Sequence, residues 1–476
     1  MVKIKTSIFP IRLLARIIIE AKTPLAIGNG EKDIITDALV ARDFNNLPYI
    51  PGTSIAGVVR SMLKQIGVDT DNVFGFQKGK DGWGSKIIFT EAKILDSKHR
   101  IVDGMDCNVF ESDDLLRHFA QLPIRQHVRI NEHGTAVKNG KFDEQIIYSG
   151  TRFCFEIEML AAEKDDKTTN YFNQVLRLIT NRTFRIGGGT RCGFGEIEVK
   201  EMKYRFLDLR VEDDLQIYID KSNNLIESAK WGQWNDYSHD ETDSKGTKQE
   251  NERYTRYRLE LRPVDFFLFG SGLGDEGADM TPVKTQKIEW NDNHGELKEN
   301  LVLIPATSVK GALAHRVTYY WNKNNQYYVG DQRAKVGNDN LAVRALFGYE
   351  DYEEKTQQRG NLIFSDIIAS PEKDKVINHV SIDRFTGGAR DGALFTEKTT
   401  YGKDKKYTLE IILDAAAFDK VIIEDANIEN PKSIIKESLK DALMDICNGM
   451  LPLGGGVNRG NGIFNGDLYI DGIKQN

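Results

Sequence analysis

The hydrophobic positions of this chain follow two periods, one typical of strands and one typical of helices. Segments 12–20 and 254–261 are rich in Ile, Leu and Tyr with partial alternation, and each predicts the opening strand of a separate unit. Further along each unit, apolar residues recur at the three- and four-residue spacing of an amphipathic helix. The Thr-Ser pairs at 53–54 and 307–308 precede these helical stretches and predict their N-caps.

Each unit also ends with a helical pattern that runs into three consecutive glycines and then a strand. Apolar residues at helical spacing precede the glycines at 172–179 and at 435–446. The order strand, helix, strands, helix, glycine loop, strand is βαββαβ. We therefore predict an α+β chain with two tandem ferredoxin-like (RRM-like) domains. Because this plan serves many functions, the functional argument must come from the sites.

Short motifs occur twice, in the same order. The pairs are IPGTSIAGVVR (50–60) with IPATSVKGALAHR (304–316), VFGF (73–76) with LFGY (346–349), KIIFTEA (86–92) with NLIFSDI (361–367), HVRIN (127–131) with HVSID (379–383), and RIGGGTRCGFGEIEV (185–199) with LPLGGGVNRGNGIF (451–464). Chance similarity does not keep such an order, so the pattern indicates a duplicated domain. The predicted division is 1–205 for the first domain, 206–254 for a partly exposed acidic linker and 255–473 for the second domain.

The chain has 476 residues, of which 64 are basic and 71 acidic, and a formal net charge of −7. This balance argues against a protein that coats nucleic acid over its whole surface. Basic residues are nonetheless concentrated in the repeated motifs, while the linker segment 233–253 and a predicted surface loop at 348–360 are acidic. A local phosphate-binding surface requires such a distribution.

The four cysteines stand singly, without the spacing of a zinc site or a disulfide framework, so we expect buried free thiols. No apolar stretch approaches the ~20 residues that a membrane helix needs. The N-terminal segment contains too many Lys and Arg residues for a signal peptide. We therefore expect a cytoplasmic protein without membrane contact.

The two glycine loops are the first chemical candidates. Glycine has no Cβ, so backbone N–H groups in such a loop can approach a phosphate. Neither loop has the GK[ST] sequence of a nucleotide-triphosphate loop, which argues against an NTPase. A tight helix-to-strand turn is the alternative for either loop alone, and the arginines inside the pair favour a ribose-phosphate contact. The residues expected to bind RNA here are Arg185, Gly187, Gly188, Gly189, Arg191, Gly454, Gly455, Gly456 and Arg459.

The paired glycine loops, the paired IPGTS and IPATS helices and the segment HVSIDRFTGGARDGALF at 379–395 resemble the RAMP superfamily of CRISPR-associated RNA-binding proteins. More narrowly, they resemble the repeating backbone subunits of type III effector complexes. Two copies are fused in this chain, as in the variant III-D systems. The resemblance covers both halves and leaves out mainly the linker and the acidic loop.

This resemblance implies a palm that binds the guide RNA backbone and a thumb hairpin that pushes between guide and target. Segment 379–395 resembles a thumb, and segment 124–153 is its first-half counterpart. Exposed basic and aromatic residues on a hairpin combine phosphate neutralisation with base stacking. An ordinary hairpin with solvated basic residues is the alternative. The further residues expected to contact RNA are Arg60, Lys310, Arg125, His127, Arg129, His379, Arg384, Phe385 and Arg390.

Family members carry a pattern similar to D-x-P-V-I-R-D before the first helix, and its first Asp is needed to cut target RNA with a divalent metal. The sequence ITDALVARD places Asp37 at that position and Leu39 where Pro is usual, with Asp33 as an alternate. In the second half GLGDEGADMTPV offers Asp279, with Asp275 as an alternate. The resemblance thus implies Mg²⁺ or Mn²⁺ at Asp37 and at Asp279. An ordinary hydrated loop acid is the alternative for each.

Attack of an RNA 2′-OH on the adjacent phosphate needs in-line geometry and a carboxylate that holds a metal or accepts a proton. We therefore predict a metal-dependent, guide-directed endoribonuclease subunit with one or two sites. Its expected partners are guide RNA, complementary target RNA, other RAMP-type subunits and a large signalling subunit.

Two other functions stay open. One is a non-catalytic RNA-binding scaffold of the same complex. The other is a stand-alone guide-processing ribonuclease, for which His127 and His379 stand at matched positions. The sequence has no GGDD motif and no HD pair, which argues against the large signalling subunit itself.

Overall fold

The structure is a computed structural model that describes residues 9–33, 36–131, 134–221, 234–237, 253–291, 294–351, 356–403, 405–423 and 428–475. Two units of mixed helices and strands follow each other along the chain. The strands of the first unit are β1 (Ile11–Ala21), β2 (Phe76–Lys78), β3 (Asp81–Trp83), β4 (Ile87–Phe89), β5 (Lys93–Ile94), β6 (Ile124–Ile130), β7 (Ala136–Gln145), β8 (Arg152–Ala161), β9 (Ile197–Asp208) and β10 (Asn235–Asp236). Its helices are α1 (Gly52–Gln65), α2 (Asp71–Phe74), α3 (Val109–Ser112), α4 (Asp114–Arg117), α5 (Asp166–Thr180) and α6 (Glu212–Ile219).

The second unit begins with β11. Its strands are β11 (Tyr254–Pro263), β12 (Phe266–Phe267), β13 (Lys284–Asn291), β14 (His294–Ile304), β15 (Gly348–Asp351), β16 (Thr356–Arg359), β17 (Leu362–Phe364), β18 (Ile367–Ala369), β19 (Asp374–Ile382), β20 (Ala389–Tyr401), β21 (Tyr407–Asp414), β22 (Phe464–Ile470) and β23 (Ile473–Lys474). Its helices are α7 (Ala306–Asn324), α8 (Leu341–Phe347), α9 (Ala415–Phe418) and α10 (Pro431–Cys447). Short 3₁₀ turns lie at His118–Ala120, Gly337–Asp339 and Val457–Arg459.

The main sheets of the two units have the same strand order. In the first unit the order is β9-β1-β8-β4, and in the second it is β22-β11-β21-β17. Each opening strand pairs antiparallel with the last long strand on one side and with the strand before the late helix on the other. The mixed architecture and its antiparallel strands agree with the predicted class, and the shared order agrees with a duplication.

Helices α1 and α7 bury equivalent faces against their sheets. Ile55, Val59 and Leu63 are fully buried in the first unit, four residues apart. Val309, Leu313 and Val317 are their equivalents in α7, at a constant offset along the chain. Burying an aliphatic side chain contributes about 1.5–3 kcal/mol, so this stripe holds each helix on its sheet.

The predicted caps of these helices are wrong. Helix α1 follows Pro51 and α7 follows Pro305, and neither helix has a side-chain cap on its own N-cap residue. Proline already has the extended backbone that precedes a helix, so the Thr-Ser pairs fall within the first turn. In α7 the backbone N–H of Ala306 instead donates to Asp366 Oδ1 at 2.8 Å.

The two units meet across a buried joint. Arg125 Nη1 lies 2.9 Å from Asp366 Oδ2, and the two side chains are 8% and 1% exposed. Arg185 Nη1 donates to the carbonyl of Phe364 at 3.2 Å, and its Nη2 donates to Ser365 Oγ at 2.8 Å. Arg125, just before the HVRIN motif, and Arg185, in the glycine-loop motif, thus hold the segment that follows β17 in the second unit.

The β13–β14 hairpin adds a second contact between the units. Trp290 Nε1 donates to the carbonyl of Gly150 at 2.7 Å, and the guanidinium of Arg152 lies 4.3 Å from the Trp290 ring. The backbone N–H of Gly295 donates to the carbonyl of Ser97 at 2.8 Å. This hairpin of the second unit therefore packs against the first unit.

Three predictions about the connecting segments and thiols need revision or fall outside the structure. The predicted acidic surface loop at 348–360 contains a short hairpin, because β15 pairs with β16. Of the acidic segment 233–253, residues 234–237 place β10 beside β9, residue 253 precedes β11, and the rest lies outside the described residues. Only Cys154 and Cys447 are buried, whereas Cys107 is exposed and Cys192 half-buried, and all four are free.

Among the described residues, no helix is long and apolar enough to cross a membrane.

Candidate nucleic-acid interface

A two-stranded hairpin projects from each unit, β6–β7 from the first and β19–β20 from the second. Apolar side chains stand exposed at matched positions, with Val128 and Ile130 in the first hairpin and Val380 and Ile382 in the second. At the turn of the second hairpin, Phe385 is 98% exposed. The exposed aliphatic side chains offer apolar contact to bases, and the Phe385 ring offers a surface on which a base can stack.

Basic side chains accompany this apolar surface. Arg129 on β6, Arg384 at the turn and Arg390 on β20 are all exposed. Arg384 and Arg390 flank Phe385 in the chain, so the hairpin end combines a stacking group with two positive charges. The structure therefore keeps these four predicted contact residues on the surface.

The matched histidine of the first hairpin lies at its base. The His127 ring stacks on Phe142, with the ring centres 4.7 Å apart and the planes 14° apart. His127 Nε2 lies 2.9 Å from Glu144 Oε1. The imidazole thus has an aromatic neighbour and a carboxylate partner within the hairpin.

His379 repeats this arrangement in the second hairpin. Its ring stacks on Phe395 at 4.8 Å, and its Nε2 lies 3.1 Å from Glu397 Oε1. Burial alone would raise the pKa of Glu397, but hydrogen bonds from Arg459, Asn461 and His379 hold that pKa below its usual value. The glycine loop therefore joins the base of the hairpin through Arg459.

Asp37 lies at the base of the first hairpin, hydrogen-bonded to β7. Its backbone N–H donates to the carbonyl of Asp143 at 3.1 Å, and its Oδ2 accepts from the backbone N–H of Asp143 at 3.0 Å. The side chain is exposed. Asp143 directly follows Phe142, the residue that stacks on the matched histidine.

Asp279 has the equivalent place in the second unit. Its Oδ2 accepts from the backbone N–H of Thr396 at 2.7 Å and from the Thr396 hydroxyl at 2.9 Å. Thr396 directly follows Phe395, as Asp143 follows Phe142. The Thr396 backbone and hydroxyl donors hold the pKa of Asp279 below its usual value. Asp279 is therefore an exposed carboxylate across the neutral range.

The alternates Asp33 and Asp275 are also equivalent to each other. Asp33 Oδ1 accepts from the backbone N–H of Thr36 at 2.5 Å, and Asp275 Oδ1 accepts from that of Ala278 at 2.9 Å. Each closes a turn four residues before the aspartate at the hairpin base. Asp275 also pairs with Lys398. The structure thus matches Asp279 with Asp37 and Asp275 with Asp33.

The surroundings of the two aspartates differ in their capacity for a metal ion. Among the described residues, no group of three His, Cys, Asp or Glu side chains converges on a metal-sized site. In the first unit, however, a second carboxylate follows from Asp143, whose backbone contacts Asp37, and within the described residues the buried Oδ1 of Asp143 has no hydrogen-bond partner. Mg²⁺ is commonly held by one or two carboxylates together with water and a substrate phosphate. Asp37 and Asp143 are the residues that would hold such an ion in the first unit, whereas Thr396 takes the place of Asp143 beside Asp279.

The glycine loops are tied to the segment that follows each opening strand. The Gly188 N–H donates to the carbonyl of Ala26 at 2.7 Å, and the Gly455 N–H donates to that of Leu268 at 2.6 Å. A Cβ on Gly454 would lie 2.4 Å from the Leu268 oxygen. These two N–H groups are thus used inside the protein, which corrects the expectation that they bind phosphate.

A profile of the RAMP superfamily matches residues 18–198 and 267–465, and these two regions fall on the two structural units. The chain belongs to the RAMP superfamily. RAMP proteins work in CRISPR RNA–protein complexes, so this chain is a CRISPR-associated RNA-binding subunit with two RAMP domains. A comparison with curated proteins gave no match.

Several basic residues of this RAMP protein that the sequence assigns to RNA have partners within the chain. Arg125 and Arg185 are buried in the joint between the units, as described above. Arg60 Nη2 lies 2.8 Å from Asp71 Oδ1 and donates to the carbonyl of Gly75 at 2.9 Å. The structure therefore gives Arg125 and Arg185 a role in assembly of the two domains and leaves Arg60 half-exposed beside an acid.

The arginines of the two glycine loops are not equivalent. The loops share left-handed glycines at the same spacing, at Gly187, Gly189, Gly193 and Gly195 in one domain and at Gly454, Gly456, Gly460 and Gly462 in the other. This register aligns Arg459 with Cys192, whose Sγ lies 3.6 Å from Lys310 Nζ. It aligns Arg191 with Asn458.

The sequence analysis missed one residue of the candidate site, Asp143. The one sequence feature that could have indicated it is its position directly after Phe142, the aromatic residue of the first hairpin.

Proposed function

We propose that this RAMP protein is a double backbone subunit of a type III CRISPR effector and that it cuts target RNA at two sites. In this proposal each domain is a ferredoxin-like palm that binds guide RNA in the cytoplasm, and each hairpin is a thumb that separates guide from target. One observation carries the proposal. An exposed aspartate stands at the base of an apolar and basic hairpin twice, with the same backbone contact each time.

The hairpins supply the RNA contacts in this account. Arg129, Arg384 and Arg390 are exposed and neutralise phosphates, while Phe385 offers a ring to a displaced base. Because phosphate contacts do not read sequence, binding is expected to be independent of the guide sequence. A subunit that carries many different guides needs this property.

The aspartates supply the chemistry. The backbone N–H of Asp143 or Thr396 fixes one oxygen of the aspartate and leaves the carboxylate exposed at the hairpin base. A carboxylate held in this way accepts the proton of an attacking 2′-OH, whose oxygen bonds to phosphorus as the P–O5′ bond breaks. The leaving 5′-oxygen takes a proton from water. Asp37 with Asp143, or Asp279, would hold Mg²⁺ or Mn²⁺, which would supply positive charge beside the attacked phosphate. A displaced base allows the sugar to adopt the in-line geometry that the attack requires.

Two alternatives are less well supported. A processing ribonuclease would need a histidine that reaches the RNA, but the side chains of His127 and His379 are only 8% and 22% exposed and are covered by Phe142 and Phe395. A non-catalytic scaffold suits the second domain better than the first, because Thr396 occupies in the second domain the place that Asp143 has in the first. The number of cuts therefore distinguishes these alternatives.

The test begins with the chain isolated together with its bound RNA and its partner subunits. We expect other RAMP-type subunits and a large signalling subunit to copurify, and the bound RNA to be guide RNA of many different sequences. End-labelled complementary RNA is then added with and without Mg²⁺. Mg²⁺-dependent cuts within the paired region support the proposal. Bound guide RNA without any cut would leave only the scaffold function.

A further inference from the structure

A basic side chain stands near the aspartate of the second hairpin, at a position where the first hairpin has a neutral amide. The two hairpins pair in the same register around their histidines, so Lys398 on β20 is the equivalent of Gln145 on β7. The backbone N–H of Gln145 donates to the carbonyl of Ala38 at 2.9 Å. The backbone N–H of Lys398 donates to the carbonyl of Met280 at 2.8 Å. Ala38 and Met280 each directly follow the aspartate of their site, so these contacts agree with the equivalence.

Gln145 has a structural contact that the second domain cannot repeat. Its Oε1 accepts from the backbone N–H of Val40 at 3.2 Å. The equivalent of Val40 is Pro282, because each pairs with a glycine that follows the opening strand of its unit. Proline has no backbone N–H, so an amide side chain on β20 would find no donor there. Lys398 therefore does not inherit the structural contact of Gln145.

Lys398 lies on the side of β20 that faces the proposed second cutting site. Alternate residues of a strand point to the same side, so Lys398 shares a face with Thr396. The Thr396 backbone N–H and hydroxyl donate to Asp279. Lys398 Nζ lies 2.5 Å from Oδ2 of Asp275, in the turn that precedes Asp279. The ammonium group thus stands next to the loop that carries the aspartate.

The ion pair with Asp275 holds Lys398 only weakly. The two side chains, Lys398 and Asp275, are 26% and 45% exposed. Such a pair contributes little to stability, because water and salt screen both charges. A lysine has a flexible four-carbon stem and three rotatable donors. The ammonium group can therefore leave Asp275 for a phosphate beside Asp279, to which charge-assisted hydrogen bonds are strong.

The two sites differ in charge at four equivalent positions. The first site has three carboxylates and a neutral amide there, whereas the second has two carboxylates, a hydroxyl and an ammonium group. The residues are Asp33, Asp37, Asp143 and Gln145 in the first domain and Asp275, Asp279, Thr396 and Lys398 in the second. The second site is therefore two charges less negative than the first. Negative charge that develops on a reacting phosphate is stabilised by a positive group placed beside it, and here the protein supplies that group itself.

We infer that Lys398 is a catalytic residue of the second cutting site, where its ammonium group contacts the non-bridging oxygens of the attacked phosphate. The 2′-oxygen bonds to phosphorus as the P–O5′ bond breaks. Asp279 takes the proton of the 2′-OH, and the leaving 5′-oxygen takes a proton from water. Lys398 keeps its proton and stabilises the negative charge on the phosphate. The inference rests on the proposed function, because it assigns a residue to one of the two proposed sites.

The test uses the isolated RNA–protein complex with end-labelled complementary RNA and Mg²⁺. Lys398→Met removes the charge and keeps an apolar stem, and Lys398→Arg keeps the charge. Asp275→Asn is the matched control, because it removes the same ion pair and leaves the ammonium group in place. The rate of each cut is measured under single-turnover conditions. Target binding is measured on the same samples at several salt concentrations.

We expect Lys398→Met to slow the second cut, the one that Asp279→Ala abolishes, by about 100-fold or more, because a donor to the reacting phosphate is lost. The first cut should keep its rate, which also shows that the variant complex is folded. Lys398→Arg should recover part of the second cut, and Asp275→Asn should leave both cuts intact. The salt dependence of target binding should become shallower by about one unit in Lys398→Met, because one phosphate contact is gone.

Two results would overturn the inference and leave the proposed function in place. One is a parent that cuts at two positions together with an unchanged second cut in Lys398→Met. The other is equal slowing of the second cut by Lys398→Met and Asp275→Asn, which would show that the ion pair only supports the turn. A parent complex that binds target but cuts nowhere would remove the proposed cutting function itself, and the role of Lys398 with it.

Discussion

At the residue scale, the position of each aspartate depends on one hydrogen bond to the hairpin. The sequence favours Asp279 and keeps Asp275 as an alternate, because both lie shortly before the same proline. In the structure Asp279 is the positional equivalent of Asp37, because the backbone N–H of Thr396 contacts Asp279 as that of Asp143 contacts Asp37. Such a contact joins residues more than a hundred positions apart, and local sequence spacing does not reveal it.

Asp143→Asn tests the asymmetry between the two sites. The change keeps the backbone N–H that orients Asp37 and removes the second carboxylate, so the cut assigned to the first domain should slow about 10- to 100-fold. The cut assigned to the second domain should not change. Rates at each position of a cleavage ladder measure this. Asp275→Asn is the control and should leave both cuts intact; equal slowing of both cuts by Asp143→Asn would contradict the assignment.

At the scale of elements, the sequence predicts the opening strands and the amphipathic helices well, because each has a local periodic signal. The two hairpins are expected from the family resemblance instead. The sequence does not predict the β15–β16 hairpin, whose acidic composition resembles a loop. The sequence also does not predict the partners of the glycine loops. The N–H groups of Gly188 and Gly455 donate to the carbonyls of Ala26 and Leu268, which are distant in the chain. A glycine-rich sequence indicates that another group comes close to the loop backbone, but it does not identify that group.

Gly454→Ala and Gly460→Ala form a matched pair for this loop. Both glycines have a φ near that of the left-handed region, +95° and +94°. An alanine there costs about 1–2 kcal/mol from backbone strain alone. Gly460 has open space, whereas a Cβ on Gly454 meets the Leu268 carbonyl, so Gly454→Ala should cost about 1–3 kcal/mol more. Urea unfolding measures both; equal costs would show that the tether contributes nothing.

At the scale of the whole molecule, some of the basic residues that the sequence assigns to RNA lie instead at the contact between the two domains. Arg125 and Arg185 lie in basic motifs, yet they face the second domain. A single sequence gives the repeat but not which face of one repeat packs on the next. That packing decides which basic residues remain for RNA, and it leaves Arg129, Arg384 and Arg390 exposed.

Arg125→Met should weaken the joint strongly. It leaves the Asp366 carboxylate buried without its cation, and removing one partner of a buried ion pair costs about 3–5 kcal/mol. Arg182→Met breaks an exposed ion pair between the same domains, with Glu410, and should cost about 0–1 kcal/mol. Urea unfolding and limited proteolysis between the domains compare the two variants. A similar small cost for both would show that the buried pair does not hold the domains together.

In the proposed function each domain carries its own cutting site, and a cleavage ladder on the isolated RNA–protein complex tests this most directly. Parent, Asp37→Ala and Asp279→Ala complexes are given end-labelled complementary RNA and Mg²⁺, and target binding is measured on the same samples. We expect each variant to lose a different cut while its affinity for target persists, because the carboxylate acts in the transition state. An unchanged ladder for both variants would contradict the account.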